Sequence, residues 1–186
     1  MTAAPAFDFH CHSLCSDGAL SPQALIELAA ERGLQQLAIT DHDTTAAYTR
    51  QLSDQATDAQ ITLVSGCELS CLWQRRSIHV VGLNIDLTHP VFVKAMGEQA
   101  QARDQRAEKI TAVLRRMGFS LELAQIQRIA GDGVVGRPHF AEYLVRTNQM
   151  PSMAAAFKRA LGAGKPGDIE AEWSALETVV GWISAA

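Results

Sequence analysis

Phe7-Asp8-Phe9-His10-Cys11-His12 is the stretch on which the reading of the chain turns. It alternates as a half-buried strand does, and residues two apart on a strand point to the same face. His10 and His12 therefore aim two imidazoles at one point, a simple way to hold a metal ion. Alone, the pair reads equally as two polar residues on a solvated strand face. Asp8, at the strand start, is given no role.

Outward from this strand, Ser13 to Leu20 reads as a loop. Ser21-Pro22 starts a helix, with Ser21 as its N-cap and Pro22 in the first turn, running to about Arg32 before Gly33. Leu37-Ala38-Ile39-Thr40 is a second strand that ends at Asp41-His42-Asp43. Thr45 to Asp58 predicts a helix, Ile61 to Ser70 a third strand and Ile78 to Leu83 a fourth. Parallel strands joined by helical crossovers imply an α/β sheet or barrel. Beyond Asn84 the pattern is helical: Pro90 to Met117, Leu121 to Ile129, Pro138 to Thr147, Ser152 to Leu161 and Trp173 to Ile183. The expected division is an α/β body over 1–85, an all-helical insertion over 86–167 and a returning helix over 168–186.

Further candidate ligands fall on successive elements of the body. Asp17 lies in the loop after the first strand, His42 after the second, Glu68 at the end of the third and His79 in the fourth. A sheet or barrel brings such strand ends together, and in α/β barrels that rim carries the chemistry. Mixed imidazole and carboxylate donors suit manganese, iron or zinc. Adjacent ions sharing a carboxylate suit phosphoryl displacement, because they stabilise attacking and leaving oxygens and lower the pKa of water. His89, beside Pro90, reads as a turn residue.

Composition narrows the classes. At 186 residues, 47% hydrophobic and 19% charged, the chain can fold around a real core. A net charge of −4 argues against general coating of nucleic acid and against a stable duplex complex, while leaving room for a small phosphate site. No apolar run reaches the roughly 18 residues of a membrane span. Met1 to Phe7 does not read as a signal peptide, so the expected location is the cytoplasm. Cys11, Cys15, Cys67 and Cys71 read as buried free thiols rather than as a four-cysteine zinc site.

The motifs F-D-F-H-C-H-S-L-C-S-D-G, L-A-I-T-D-H-D-T, S-G-C-E-L-S and I-H-V-V-G-L, in that order, resemble the PHP (polymerase and histidinol phosphatase) family. Gly136-Arg137-Pro138-His139-Phe140-Ala141 and Leu161 to Pro166 point to its branch of nucleoside 3′,5′-bisphosphate phosphatases and 5′-to-3′ exoribonucleases. The resemblance implies a distorted (β/α)7 barrel, TIM-like, with up to three divalent ions in its mouth. Manganese is the expected ion, with iron, zinc or magnesium as alternatives. By motif, His10, His12 and Glu68 would hold one ion. Glu68 would bridge to a second held by His79, and Asp17 with His42 would hold a third. Asp41 and Asp43 look like supporting or turn residues. Arg137, His139 and Lys165 would meet substrate phosphate, Arg137 at a helix start where anions are favoured. Arg103 and Arg106 read as a solvated helix face, and Trp73, Trp173 and Trp182 as core or interface.

The same resemblance implies three later ligands, a histidine in a strand like L-A-H-P and an aspartate and a histidine in a D-x-H. No histidine follows His139. The barrel is therefore expected to be incomplete at its C-terminus, through truncation or as a short relative that dimerises through its exposed edge, and weakly active at best. The expected function is metal-dependent hydrolysis of nucleoside 3′,5′-bisphosphates or short RNA 5′ ends by metal-activated water. The alternative is a non-catalytic metal- or nucleotide-binding module. A polymerase-associated proofreading domain ranks below both.

Overall fold

The computed structural model describes residues 6–131 and 133–186. Residues 1–5, in the stretch weighed as a leader, lie outside them. The chain is a mixed α/β protein whose first half carries the strands. Strand β1 (Phe7–Cys11) leads through a loop into helix α1 (Pro22–Glu31). Ser21 caps α1, its hydroxyl accepting from the Ala24 amide at 3.1 Å, and Gly33 takes the left-handed φ of 70° that ends it. Strand β2 (Gln36–Ile39) pairs in parallel with β1 on one side and β3 (Thr62–Leu63) on the other. Its Leu37, Ala38 and Ile39 are buried, as a central parallel strand covered on both faces requires.

Two expected elements differ. Helix α2 spans only Arg50–Asp58, with Thr49 as its N-cap, so Thr45 to Tyr48 is not helical. The long third strand breaks in two at Val64-Ser65. Tyr48 explains both. Its hydroxyl accepts from the Ile39 amide at 3.0 Å and faces the Ile39 and Val64 carbonyls at 2.7 and 2.8 Å. A side chain thus takes up the backbone groups through which β2 and β3 would have gone on pairing.

The chain then crosses to strand β4 (Gly66–Trp73), which pairs antiparallel with β5 (Arg76–Leu83). The expected parallel arrangement does not extend to this pair. The two-residue turn between them, Gln74-Arg75, has both φ values positive, 47° and 65°, as the tight hairpin turns that match strand twist demand. Bridges His42 to Glu68 and Leu72 to Ala175 tie this hairpin to the end of β2 and to the C-terminal segment.

Helices follow: α3 (Pro90–Arg116), α4 (Leu123–Ala130), α5 (Arg137–Arg146), α6 (Met153–Ala156) running into a π-helical turn (Phe157–Leu161), and α7 (Leu176–Ala185). Helix α3 serves two cores. Its first turns place Phe92 against Cys67, Leu69, Cys71 and Val179 of β4 and α7. Its later turns place Ala107, Ile110 and Leu114 among Ile126, Phe140, Leu144 and Leu161. The third core lies between β2 and helices α1 and α2. A single 27-residue helix therefore carries the strand-bearing half into the helical half.

Candidate metal centre

The end of β1, the loops after β1 and β2, and the facing strands β4 and β5 bring six side chains together. The Glu68 carboxylate is the hub. One of its oxygens, Oε2, lies 2.8 Å from Nε2 of His10 and 2.8 Å from Nε2 of His12. The same oxygen is 3.9 Å from Nδ1 of His42, and the other is 3.9 Å from Nδ1 of His79. Asp17 closes the set, 2.9 Å from Nδ1 of His12 and 3.8 Å from Nε2 of His42. Three overlapping triads result, His10–His12–Glu68, His12–Asp17–His42 and His42–Glu68–His79, each with ligand atoms within 4.8 Å of one another.

Local backbone sets this geometry. Asp17 faces His12 because the loop folds back on itself, the Gly18 amide donating to the Ser13 carbonyl at 2.9 Å. A Cβ on Gly18 would lie 2.1 Å from the His12 carbonyl oxygen, so only glycine permits that return. Asp41, buried, anchors the same loop by accepting from the Ser13 amide at 2.7 Å and from the Ser13 and Ser16 hydroxyls at 2.6 Å each. Asp43 is equally buried. It accepts from the Ser70 amide and hydroxyl at 2.6 and 2.7 Å, from Gln99 Nε2 at 2.8 Å and from Arg103 Nη2 at 2.6 Å. Both aspartates are saturated by the protein and stand outside the triads.

The electrostatics follow from these contacts. The hydrogen bond that His12 donates to Asp17 raises the His12 pKa despite partial burial, and the same bond brings Asp17 down to about 2. Burial pushes His42 down to about 4, and burial also lowers His79. For Glu68, burial works upward, but the His10 hydrogen bond and the neighbouring imidazoles outweigh it and hold the carboxylate below its ordinary value. Asp17, His42, Glu68 and His79 thus favour the deprotonated state that a metal ion requires, whereas His12 is shifted the other way. Buried Nδ1 of His42 has no hydrogen-bond partner among the described residues, an orphan that a cation would satisfy. The donor set therefore fits hard-to-borderline divalent ions. The cysteines do not join it. No disulfide joins any of the four, and burial pushes the Cys11 thiol up to about 12, away from the thiolate.

Beside the cluster opens a cavity of about 600 Å3, lined by Asp17, His42 and His79 together with Arg76, Arg103, Arg106, Arg137 and Trp173. Two expectations are corrected here. Arg103 is no solvated residue. It is 8% exposed, bonded to Asp43 and lies over the Trp173 ring at 5.5 Å, because α3 crosses the mouth of the cluster. Arg106, half-buried, donates from Nε to the Ile169 carbonyl at 2.7 Å. The phosphate candidates lie in different places. Arg137 lines the cavity, paired with Asp168, but His139 and Lys165 are not among the lining residues. His139 is buried at the start of α5, its Nδ1 accepting from the Gly136 amide at 2.9 Å, and Lys165 is exposed in a turn. Of the tryptophans, Trp73 is 44% exposed and Trp182 packs against the β4–α7 core.

Residues 8–102 match the PHP domain. The chain is 39% identical to the 5′-3′ exoribonuclease of Escherichia coli over 94% of its own length and 60% of that protein's. It is 37% identical to the 3′,5′-nucleoside bisphosphate phosphatase of Chromobacterium violaceum, over 96% and 63%. It thus spans about three fifths of the length of these curated relatives. Among solved structures, a Chromobacterium violaceum amidohydrolase with bound sulfate superposes with a TM-score of 0.86 at 35% identity, over 97% of this chain and 63% of that one. A putative metal-dependent phosphoesterase of Bifidobacterium adolescentis gives 0.86 at 26% identity, over 98% and 64%. Motif order, ligand geometry and these matches agree: the chain belongs to the PHP domain family.

Proposed function

We propose that the chain carries the metal-binding face of a metal-dependent phosphoesterase acting on nucleoside 3′,5′-bisphosphates or on the 5′ ends of short RNA. The observation that carries this reading is the sharing of His12, His42 and Glu68 between three donor triads. Shared ligands place neighbouring cations close enough to act on one phosphate. His10, His12 and Glu68 would hold one ion, Glu68 with His79 a second, and Asp17 with His42 a third. Manganese is the first candidate, with iron, zinc and magnesium accepted by the same donors. Bound divalent ions would supply Lewis-acid polarisation of phosphate and a lowered pKa for water.

The protein's own residues would do the rest. Asp17 holds His12 by Nδ1 so that Nε2 faces the shared carboxylate, the arrangement that outer carboxylates give to ligating histidines. Arg137, at the first position of α5, would present guanidinium N–H groups to a phosphate oxygen. The sulfate of the Chromobacterium violaceum structure, a tetrahedral dianion, supports an anion site in this fold. A cytoplasmic location belongs to the same reading. So does self-association through the outer edge of β1, where Phe7, 60% exposed, stacks on Phe9 at 4.9 Å. Sedimentation of the Phe7→Ser variant tests the association.

The function is tested by phosphate release from adenosine 3′,5′-bisphosphate and nucleotide release from a 5′-phosphorylated RNA, with manganese added. Turnover of either substrate that disappears in His12→Ala and Glu68→Gln is the expected result. Tight metal binding without turnover of either would overturn it in favour of a binding module.

A further inference from the structure

Within the ligand set, His10 is held by a hydrogen bond to Glu68 and His12 by one to Asp17. His42, its side chain 18% exposed, is held by burial. His79 has neither support. Its side chain is 41% exposed, and its Nδ1 lies 3.9 Å from Oε1 of Glu68, too far for a hydrogen bond.

What holds His79 lies across the hairpin. Ser70 and His79 are directly opposite in the β4–β5 register, so their side chains share a face. The Ser70 hydroxyl is 3.3 Å from Nδ1 of His79, the one hydrogen bond of that ring among the described residues. Its direction follows from the single hydroxyl proton. Ser70 is wholly buried and donates from Oγ to Oδ2 of Asp43 at 2.7 Å. Asp43, paired with Arg103, offers only acceptors, so the hydroxyl proton goes to it. The Ser70 oxygen is left to accept, and Nδ1 of His79 must bring the proton. Ser70 cannot swing away. Its amide donates to Oδ1 of Asp43 at 2.6 Å, and its carbonyl accepts from Gln99 Nε2 at 2.7 Å.

We propose that Ser70 is a positioning residue for the metal centre: its hydroxyl, polarised by buried Asp43, holds His79 as the Nδ1–H tautomer and so reserves Nε2 for a cation. Outer carboxylates fix ligating histidines in the same way; here a serine stands between carboxylate and imidazole. The contacts run from Arg103 through Asp43 and Ser70 to His79, so the docking of α3 reaches a ligand on β5. The proposal rests on the phosphoesterase reading only in taking His79 as a ligand. It concerns the ion that Glu68 shares with His79, not the one on His10 and His12.

The first test needs no variant. Long-range proton–nitrogen NMR of the whole chain in chelator at neutral pH, with isotopic nitrogen in its histidines, reads which ring nitrogen of His79 carries the proton. His79→Gln assigns the signal. A protonated Nδ1 is expected. Ser70→Ala should move the proton toward Nε2, the nitrogen that free imidazole side chains favour. It should also weaken one manganese ion by about tenfold or more and leave the rest in place. Ser70→Thr, which keeps the hydroxyl on a strand suited to branched residues, should retain both the tautomer and the ion. A protonated Nε2 in the unaltered chain overturns the proposal, as does a tautomer or a manganese affinity that Ser70→Ala leaves unchanged. Failure of the phosphoesterase reading shows separately, as absence of turnover with manganese while the tautomer still depends on Ser70.

Discussion

The strand wall, the ligand cluster that opens onto the cavity through Asp17, His42 and His79, takes its imidazoles and carboxylates from β1, β4, β5 and the loops after β1 and β2, all between residues 10 and 79; the helical wall takes Arg103 and Arg106 from α3 and Arg137 from α5. The first is built by local rules. Strand alternation puts His10 and His12 on one side, and a glycine-dependent loop return puts Asp17 on His12. The second is built by tertiary placement alone. Nothing in the neighbourhood of Arg103 fixes where it points until α3 is laid across the strand ends. The walls meet at Asp43, which follows β2 and receives Ser70 from one side and Gln99 and Arg103 from the other. The comparison separates a candidate metal-binding half set by short motifs from an arginine-bearing half that depends on how the helical layer is docked.

Breaking the joint should have the largest effect. Asp43→Ala leaves Arg103 buried without a counter-charge, since the Asp43 side chain is 0% and that of Arg103 8% exposed. A loss of about 3–5 kcal/mol is expected, measured by denaturant titration, with metal and nucleotide affinity falling together. If only one of the two affinities falls, Asp43 does not join the walls. Tyr48→Phe should disturb the strand wall alone. It strips the Ile39 amide of its acceptor and the two carbonyls of the one proton they compete for, and should cost about 1–3 kcal/mol; weakened nucleotide binding in chelator would contradict that confinement.

The pH dependence should also divide the walls. A cation must displace the proton from His12, whose pKa is raised by Asp17. Metal affinity should therefore fall as pH drops below that raised value, by about tenfold per unit for one displaced proton. His42, down at about 4, adds no competition until far more acid conditions. Nucleotide binding in chelator should instead follow the second ionisation of the phosphate itself, at about 6. In the metal-free protein the His12–Asp17 pair acts in the opposite sense. As the His12 pKa is raised, its stabilisation is full below the ordinary value of 6.5 and lost as pH rises through the raised one. The smallest expected effect is Ser21→Ala, which removes the cap of α1 at about 1 kcal/mol of stability and should leave both affinities untouched.

Much of the strand wall was legible in the sequence because each ligand sits in a short motif whose period or turn chemistry is local. Two features of the strands were not. The break at Val64 depends on Tyr48, sixteen residues earlier, and the antiparallel hairpin depends on positive φ at Gln74 and Arg75, residues that carry no glycine signal. The helical wall left one trace that could have been read. The buried stripe of α3 runs Phe92, Ala95, Gln99, Arg103, Ala107, Ile110, Leu114. Gln99 and Arg103 occupy positions of that apolar stripe, and polar residues there call for a buried partner. Arg106 lies off the stripe and offered no such trace. His139, by contrast, belonged to a recognisable motif, yet its Nδ1 is occupied by the start of its own helix.

The most direct test of the central claim is metal content by elemental analysis after dialysis against manganese, for the unaltered chain, His12→Ala and Glu68→Gln. The shared-carboxylate geometry predicts more than one ion per chain, with Glu68→Gln removing more than one because its carboxylate belongs to two triads, and His12→Ala removing at least one. A single ion per chain, or a second that survives both substitutions, would contradict it.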